Sequence, residues 1–433
     1  MKKIILLFFF TVLLLSVFSQ PVADPKETFN NGLFFYESGD YKEALYNFLQ
    51  LFQLDTANAS INYKIAMCYF NLAGEELKSI NYLKRAVRNI SDTYNEYSFK
   101  NTSAPLHTLF YLGKAYRLNG QIDKALETIE QFTASPYYVE YTASIVDREI
   151  TTCKRAQILM DKPVNIKYLN LGNVINDEAD NFNAVMSYDG NTIVYITKLK
   201  LYDAIFYSTR NQGSWSTPVN ISSQIGSDGN MKPTSLSADG TQLFVVVNIN
   251  GLNDIFVSNL TDGSWSVAQP LGANINTKAD ETHGCISADG NQLFFSSNAK
   301  GSGKLDIFVS TKDASGQWGK PVNLGKMINT PDNETTPFIS QNGNILFFSS
   351  EGHYNIGEYD IFYSMKDANG KWQQPVNLGY PINTTTNNLF FAPTGNSNTA
   401  LVAKKSSDGF GALDIYQIDL LFDPFGKFTA SEK

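Results

Sequence analysis

Hydrophobic and polar residues alternate through the stretch Asp280–Gly325, and that pattern organises the second half of the chain. Ile286–Ser297 reads as a strand, a tight turn at Asp289-Gly290 and a second strand. Leu305–Thr311 is a third strand, and Trp318–Gly325 leads into a fourth. The apolar pair of the third strand returns at Ile205-Phe206, Ile255-Phe256, Ile307-Phe308, Ile361-Phe362 and Ile415-Tyr416. The period is about 50 to 54 residues, and four short strands per period predict a β-propeller. The turn between the first two strands recurs as Asp189-Gly190, Asp239-Gly240, Asn342-Gly343 and a degenerate Thr394-Gly395, which supply the positive φ of two-residue hairpins. Gly213, Gly263, Gly316 and Gly370 are each followed by a tryptophan (Trp215, Trp265, Trp318, Trp372), expected to pack on the outer strand. The last unit lacks an outer strand, while Asn165–Gly172 is an outer strand without a unit. Pairing the two closes a ring of five blades and leaves no edge.

A different period precedes the array. From Asp24 to about Met160 apolar residues fall at helical spacing. Gly32, Phe35, Gly39, Ala44 and Phe48 resemble the packing positions of a tetratricopeptide repeat. Ile65, Ala66, Tyr69, Leu83 and Ala86 resemble a second copy, and Leu112, Gly113, Tyr116, Gly120 and Ala125 a third. Ser91–Ala104 reads as a polar loop, and Tyr137–Met160 as a further helix that caps the stack. By repeat position Phe29, Leu33, Tyr36, Tyr63, Met67, Phe70, Phe110, Lys114 and Arg117 line a concave face, expected to hold a partner's peptide or helix. The competing expectation is that this face packs on the chain's own propeller or N-terminal tail. The fold class is thus α+β multidomain: helical repeats over 24–160, an all-β five-bladed propeller over 165–422, and a tail over 423–433.

The propeller repeat resembles the WD40-like PD40 repeat of TolB, through Ser-Ala-Asp-Gly at 237–240 and 287–290 and Asp-Ile-Phe at 254–256, 306–308 and 360–362. In the first blade Ala204 separates Asp203 from Ile205, which suggests a bulge. Helical repeats followed by a PD40 propeller resemble the front half of Bacteroidetes-type envelope proteins, and the order is similar to that of the type IX secretion component PorE. The resemblance implies envelope or outer-membrane partners. The OmpA-like anchoring domain that follows in many of these proteins does not occur in this sequence, so anchoring is not carried over.

The start of the chain agrees with export. Lys2 and Lys3, the apolar run Ile4–Leu15 and Val17-Phe18-Ser19 read as a signal peptide cut after Ser19, the run being short for a membrane anchor. No later stretch is apolar enough to span a membrane. Cys68, Cys153 and Cys285 are too few and too scattered for a disulfide framework and read as buried small hydrophobes. The formal charge is −8, and beyond Asp161 the only arginine is Arg210, so a nucleic-acid surface is not expected.

Catalytic chemistry finds little support. A sialidase needs several arginines to hold a carboxylate, and its aspartate box has a residue between Asp and Gly that this repeat lacks. A five-bladed glycosidase needs two or three carboxylates in its funnel. Asp254, Asp306, Asp360 and Asp414 recur at one position and read as structural; Asp280, Glu281, Glu334, Glu351 and Glu358 do not recur and remain candidates. His107, His283 and His353 show no metal-ligand spacing, and no Gly-x-Ser-x-Gly occurs. No cofactor is expected. The dissimilar loops between second and third strands are where specificity is expected. Lys300, Lys304, His353, Tyr354, Glu358 and Phe410, with Asp280, Glu281, His283 and Glu334, are the candidate partner contacts. The expected function is a non-enzymatic periplasmic adaptor of a cell-envelope assembly. The competing reading is a propeller that binds or hydrolyses glycans, peptidoglycan fragments included.

Overall fold

The structure, a computed structural model, describes residues 24–135, 138, 143–299, 301, 304–395, 397–407 and 409–422. The expected signal peptide, the C-terminal tail and Lys300 lie outside the described residues. The chain divides into two compact units, one ending at Val146 and the other beginning at Asp147.

The first unit is helical: α1 (Pro25–Glu37), α2 (Tyr41–Leu54), α3 (Ala59–Phe70), α4 (Ser79–Ala86), α5 (Thr108–Leu118) and α6 (Ile122–Thr133). Short polar residues start the helices. Asp24 accepts from the Lys26 amide at 3.0 Å, Asp40 from Glu43 at 3.2 Å and Asn58 from Ile61 at 3.1 Å. The small repeat residues do what their spacing predicts. A Cβ on Gly32 would lie 2.7 Å from the Phe48 ring, and one on Gly113 would lie 2.5 Å from Ile129. Only glycine lets α1 approach α2, and α5 approach α6, this closely. Phe29, Leu33, Phe48, Leu51, Ile61 and Ile65 form the core of the first two pairs.

The second unit is a five-bladed propeller. Inner to third strands are Asn181–Met186, Thr192–Lys198 and Asp203–Asn211 in blade I, and Met231–Leu236, Gln242–Ile249 and Leu252–Thr261 in blade II. They are Glu281–Ile286, Gln292–Ser297 and Asp306–Thr311 in blade III, and Glu334–Ile339, Ile345–Ser350 and Asp360–Met365 in blade IV. Blade V has Ala392–Pro393, Thr399–Lys404 and Asp414–Leu420, and its outer strand is Ile166–Asn170 from the start of the array. That strand pairs antiparallel with the third, Asn170 opposite Tyr416 and Ile166 opposite Leu420, which closes the ring as expected.

Three local expectations change. The turn between first and second strands is longer than two residues, and only its glycine has positive φ (Gly190 72°, Gly290 71°). The preceding aspartate instead accepts hydrogen bonds, Asp189 from the Ser187 hydroxyl at 2.5 Å and the Asn191 amide at 2.9 Å. Blade I has no bulge at Ala204: Lys198 pairs with Asp203, Thr197 with Ala204 and Ile196 with Ile205 in unbroken register. Helix α7 (Ala143–Met160) falls within the stretch expected to cap the stack, yet from Asp147 on it belongs to the propeller unit.

The tryptophans pack at the outer edge. Arg210 in the third strand of blade I, and Lys312 and Lys366 just after those of blades III and IV, each place a cation 4.8 Å from Trp215, Trp318 and Trp372 respectively. Trp265 is buried and meets Tyr207 edge to face at 5.5 Å.

Candidate functional site

Of the residues expected to line a concave face, Phe29, Leu33, Tyr36, Tyr63 and Met67 lie together, and another part of the chain covers them. The segment between α4 and α5 crosses this face, held at its ends by the short parallel pairing of Ile90-Ser91 with Ala104-Pro105. Its Phe99 meets Phe29 at 5.7 Å, its Tyr94 meets Tyr63 at 6.0 Å, and its Thr102 carbonyl accepts from the Ala59 amide at 3.0 Å. The expected polar loop thus also carries packing contacts. Tyr94 and Phe99 turn to the helical face, whereas Tyr97 between them stays exposed.

Lys64 lies beneath this segment, only 3% exposed. Its ammonium is 5.5 Å from the Phe29 ring and 5.9 Å from Phe48 and Tyr94, and the Glu96 carboxylate of the segment stands at 3.8 Å. Burial pushes the Lys64 pKa down to about 8, against the pull of Glu96. Leu33, Tyr36, Tyr63, Met67 and Glu96 leave a cavity of about 10 Å³ beside it, roughly the room one water needs. Phe29 and Arg117 are fully buried, so they are core residues and offer no open surface. Tyr36, Phe70, Phe110 and Lys114 are half-buried, Phe110 lying 6.2 Å from Phe132 of α6. Tyr63 donates to or accepts from His107 Nε2 at 2.8 Å.

On the propeller, most candidate carboxylates serve the scaffold. Glu281 and Glu334, expected to be unrelated, begin the inner strands of blades III and IV in the same register. Glu334 accepts from the Thr330 amide at 2.7 Å, the Thr330 hydroxyl at 2.8 Å and Ser350 at 2.6 Å. Glu281 accepts from the Thr277 amide at 2.9 Å, its hydroxyl at 2.7 Å and Ser297 at 3.1 Å. Burial raises both pKa values, that of Glu334 up to about 7. Asn181 and Asn388 take the same place in blades I and V, accepting from the amides of Asp177 (2.9 Å) and Thr384 (2.8 Å). A position served equally by an amide needs a hydrogen-bond acceptor, not an acid. Asp280 clasps the neighbouring blade, accepting from the Asn253 amide at 3.0 Å, as Asp180, Asn333 and Asn387 do from Leu413, Leu305 and Tyr359.

The recurring aspartates are structural as expected, and their partners were missed. Asp306, Asp360 and Asp414 each accept from an asparagine of the outer strand, Asn323, Asn377 and Asn170, at 2.8 Å. A second asparagine six residues on (Asn329, Asn383, Asn176) bonds both the amide and the carbonyl of the residue after the aspartate. The recurrence of Asn-Leu-Gly followed by Ile-Asn was the available signal. Blade II lacks the first asparagine: Pro270 takes its place beside Asp254.

The two propeller histidines are enclosed. His283 sits on the inner strand of blade III at φ 49°, like Asn183 and Thr336 at the matching irregularities of blades I and IV. Its Nδ1 is 3.2 Å from Thr335 Oγ1 and its ring 6.1 Å from Phe390. Burial, with Lys232 nearby, lowers its pKa to about 4, so the ring is neutral at pH 7. His353, half-buried, lies against the stacked pair Phe348 and Phe362 at 5.8 and 5.3 Å, its Nε2 2.8 Å from the Ile328 carbonyl, so its ring turns toward the blade rather than the loop surface.

Helix α7 covers part of the candidate loop face. Arg148 pairs with Asp332 at 2.6 Å and donates to the Glu351 carbonyl at 3.1 Å. Arg155 donates to the His353 carbonyl at 3.2 Å and stacks on Tyr354 at 4.6 Å. Lys304 reaches the same Asp332 at 3.8 Å. Glu358 is half-buried, and its carbonyl accepts from Asn355. Lys304, Tyr354 and Phe410 keep exposed side chains. Among the described residues no cluster of three His, Cys, Asp or Glu could hold a metal, and no helix is long and apolar enough to cross a membrane.

A tetratricopeptide-repeat family model matches residues 107–135. No curated relative matches the chain. Among solved structures it is similar to TolB from Acinetobacter baumannii at 14% identity, over 63% of this chain and 70% of that one, with a TM-score of 0.36. It is also similar to the α-L-arabinofuranosidase PaAbf62A from Podospora anserina in complex with cellotriose, at 10% identity over 60% and 98% of the two chains, with a TM-score of 0.38. At this level of likeness neither neighbour's activity transfers to the chain.

Proposed function

We propose that this chain is a non-enzymatic periplasmic adaptor of a cell-envelope assembly, and that its helical unit recognises an extended segment carrying aromatic and acidic residues. One observation carries the reading: the concave face already holds such a segment, Ser91–Ala104, with Phe99 on Phe29, Tyr94 on Tyr63 and Glu96 beside the buried Lys64. A partner with the same chemistry replaces the internal segment, whose intramolecular contacts hold the face closed until then. The propeller supplies a second, rigid surface, and two modest interfaces on one chain raise the effective concentration of their partners. The signal-like N-terminus supports a periplasmic location. The order of repeats, similar to Bacteroidetes-type envelope proteins and to PorE, supports partners in an outer-membrane or type IX secretion assembly. A glycosidase reading requires a free carboxylate pair. Glu281 and Glu334 are instead engaged in holding loops.

The test uses the internal segment as its own probe. In the full chain, Tyr94→Ala with Phe99→Ala loosens the segment, and a synthetic peptide spanning Ser91–Ala104 then binds saturably in a fluorescence titration. The unaltered chain binds it at least tenfold more weakly. A loosened variant that stays folded and shows no saturable binding contradicts the reading.

A further inference from the structure

Blades I, III and IV each stack an aromatic of the second strand on one of the third. The pairs are Tyr195 on Phe206 at 6.0 Å, Phe295 on Phe308 at 6.1 Å and Phe348 on Phe362 at 6.1 Å. Each pair is directly opposite in register. In blade V the register places Val402 opposite Tyr416. Blade II also has a valine there, Val245 opposite Phe256, but its inner strand runs the full Met231–Leu236. In blade V the small side chain coincides with an inner strand of only Ala392-Pro393. Both shortages remove packing from one place, and a cavity of about 330 Å³ opens between blades IV and V. That is within the range of small-molecule sites, where interiors otherwise leave few voids larger than a water.

The lining has a definite chemistry. Tyr168, Tyr380 and Phe391 supply rings, Asn387 an amide, and Lys404 a cation. The Lys404 ammonium lies 5.1 Å from the Tyr168 ring and 5.5 Å from the Tyr416 ring, and among the described residues no carboxylate pairs with it. Asn387 spends its oxygen on the Tyr359 amide at 3.2 Å, which leaves its NH2 group to donate elsewhere. Beside Lys404, Tyr416 is 4% exposed and its hydroxyl has no hydrogen-bond partner.

We propose that this crevice binds an acidic sugar, a pyranose bearing a carboxylate. The ring's C–H face lies on Tyr168 and Tyr380, the carboxylate pairs with Lys404, and a hydroxyl meets the Asn387 amide. This site stands apart from the adaptor reading, since neither the concave helical face nor α7 contributes to its lining. The volume suits one or two sugar rings and excludes longer chains from full burial.

Glucuronate and galacturonate, with glucose as the neutral control, are titrated into the full chain and followed by saturation-transfer NMR and calorimetry. Saturable binding of an acidic sugar, with glucose at least tenfold weaker, is expected. Val402→Phe restores the ring that three other blades carry, fills the crevice without removing a polar group, and abolishes binding while the melting temperature holds or rises. Lys404→Met weakens acidic-sugar binding at least tenfold and, should the Val402→Phe protein fail to fold, decides the matter alone. No saturable binding of either acid, equal binding of glucose, or binding unchanged by a folded Val402→Phe protein overturns the proposal.

Discussion

Replacing Asp360 with alanine lowers the stability of the propeller by roughly 3 to 5 kcal/mol, because it strands several buried donors at once. Its carboxylate, fully buried, accepts from Asn377 Nδ2 at 2.8 Å, the Ile356 amide at 2.8 Å and the Gly357 amide at 3.1 Å. Alanine cannot reach any of them, and the closed loop excludes water from the gap. The chain contains its own control. Asp254 occupies the same repeat position, but Pro270 stands where the asparagine would, and the carboxylate is less enclosed. Asp254→Ala therefore costs less than about 1 kcal/mol, within the range of surface changes. All four tryptophans of the chain lie in the propeller, so urea unfolding followed by tryptophan fluorescence reports this unit. Equal losses at the two positions would mean that the asparagine–aspartate clamp is not what fixes the blades.

Leu169→Pro has the second large effect, at least about 3 kcal/mol, because it strikes the pairing that closes the ring. The Leu171 amide donates to the Ile415 carbonyl at 3.2 Å, and the Leu421 amide to the Asn165 carbonyl at 3.0 Å. Antiparallel alternation between these bonds makes Leu169 opposite Gln417 a hydrogen-bonded pair. Proline there deletes a bond of the closing strand, while the leucine side chain, 37% exposed, contributes little to the core. Val322→Pro is the matched control. It sits at the same register of blade III, opposite Val309, on an outer strand that closes nothing. The account expects Leu169→Pro to lower the midpoint well beyond Val322→Pro and to expose Asp414–Leu420 to limited proteolysis. Equal midpoints would remove the special role of the N-terminal strand.

Much of the architecture was legible because packing forces repetition. The Ile-Phe pairs, the turn glycines and the displaced strand Asn165–Gly172 are demands of blade geometry, and geometry recurs. Side-chain roles were legible only where two copies were compared at equal register. Glu281 and Glu334 looked unique until the threonine four residues before each (Thr277, Thr330) is noticed and the pair is set beside Asn181 and Asn388. His353 looked like a loop-surface residue, since nothing local signals that its ring lies against Phe348 and Phe362. The segment across the helical face was the least legible. Tyr94, Glu96 and Phe99 show no periodicity, and the groups that receive them, Tyr63, Lys64 and Phe29, are about 30 to 70 residues away in sequence. Arg148 and Arg155, seven residues apart and so on one helix face, gave a faint sign that α7 meets a surface.

The central claim, that this chain joins envelope proteins, is tested most directly by capture. The tagged mature protein and its Tyr94→Ala, Phe99→Ala variant are each cross-linked in envelope extract, purified, and their bound proteins identified by mass spectrometry. The account predicts a reproducible, small set of envelope proteins, with recovery rising several-fold in the variant whose helical face is open. Recovery of no protein above an untagged control, from either form, would contradict it.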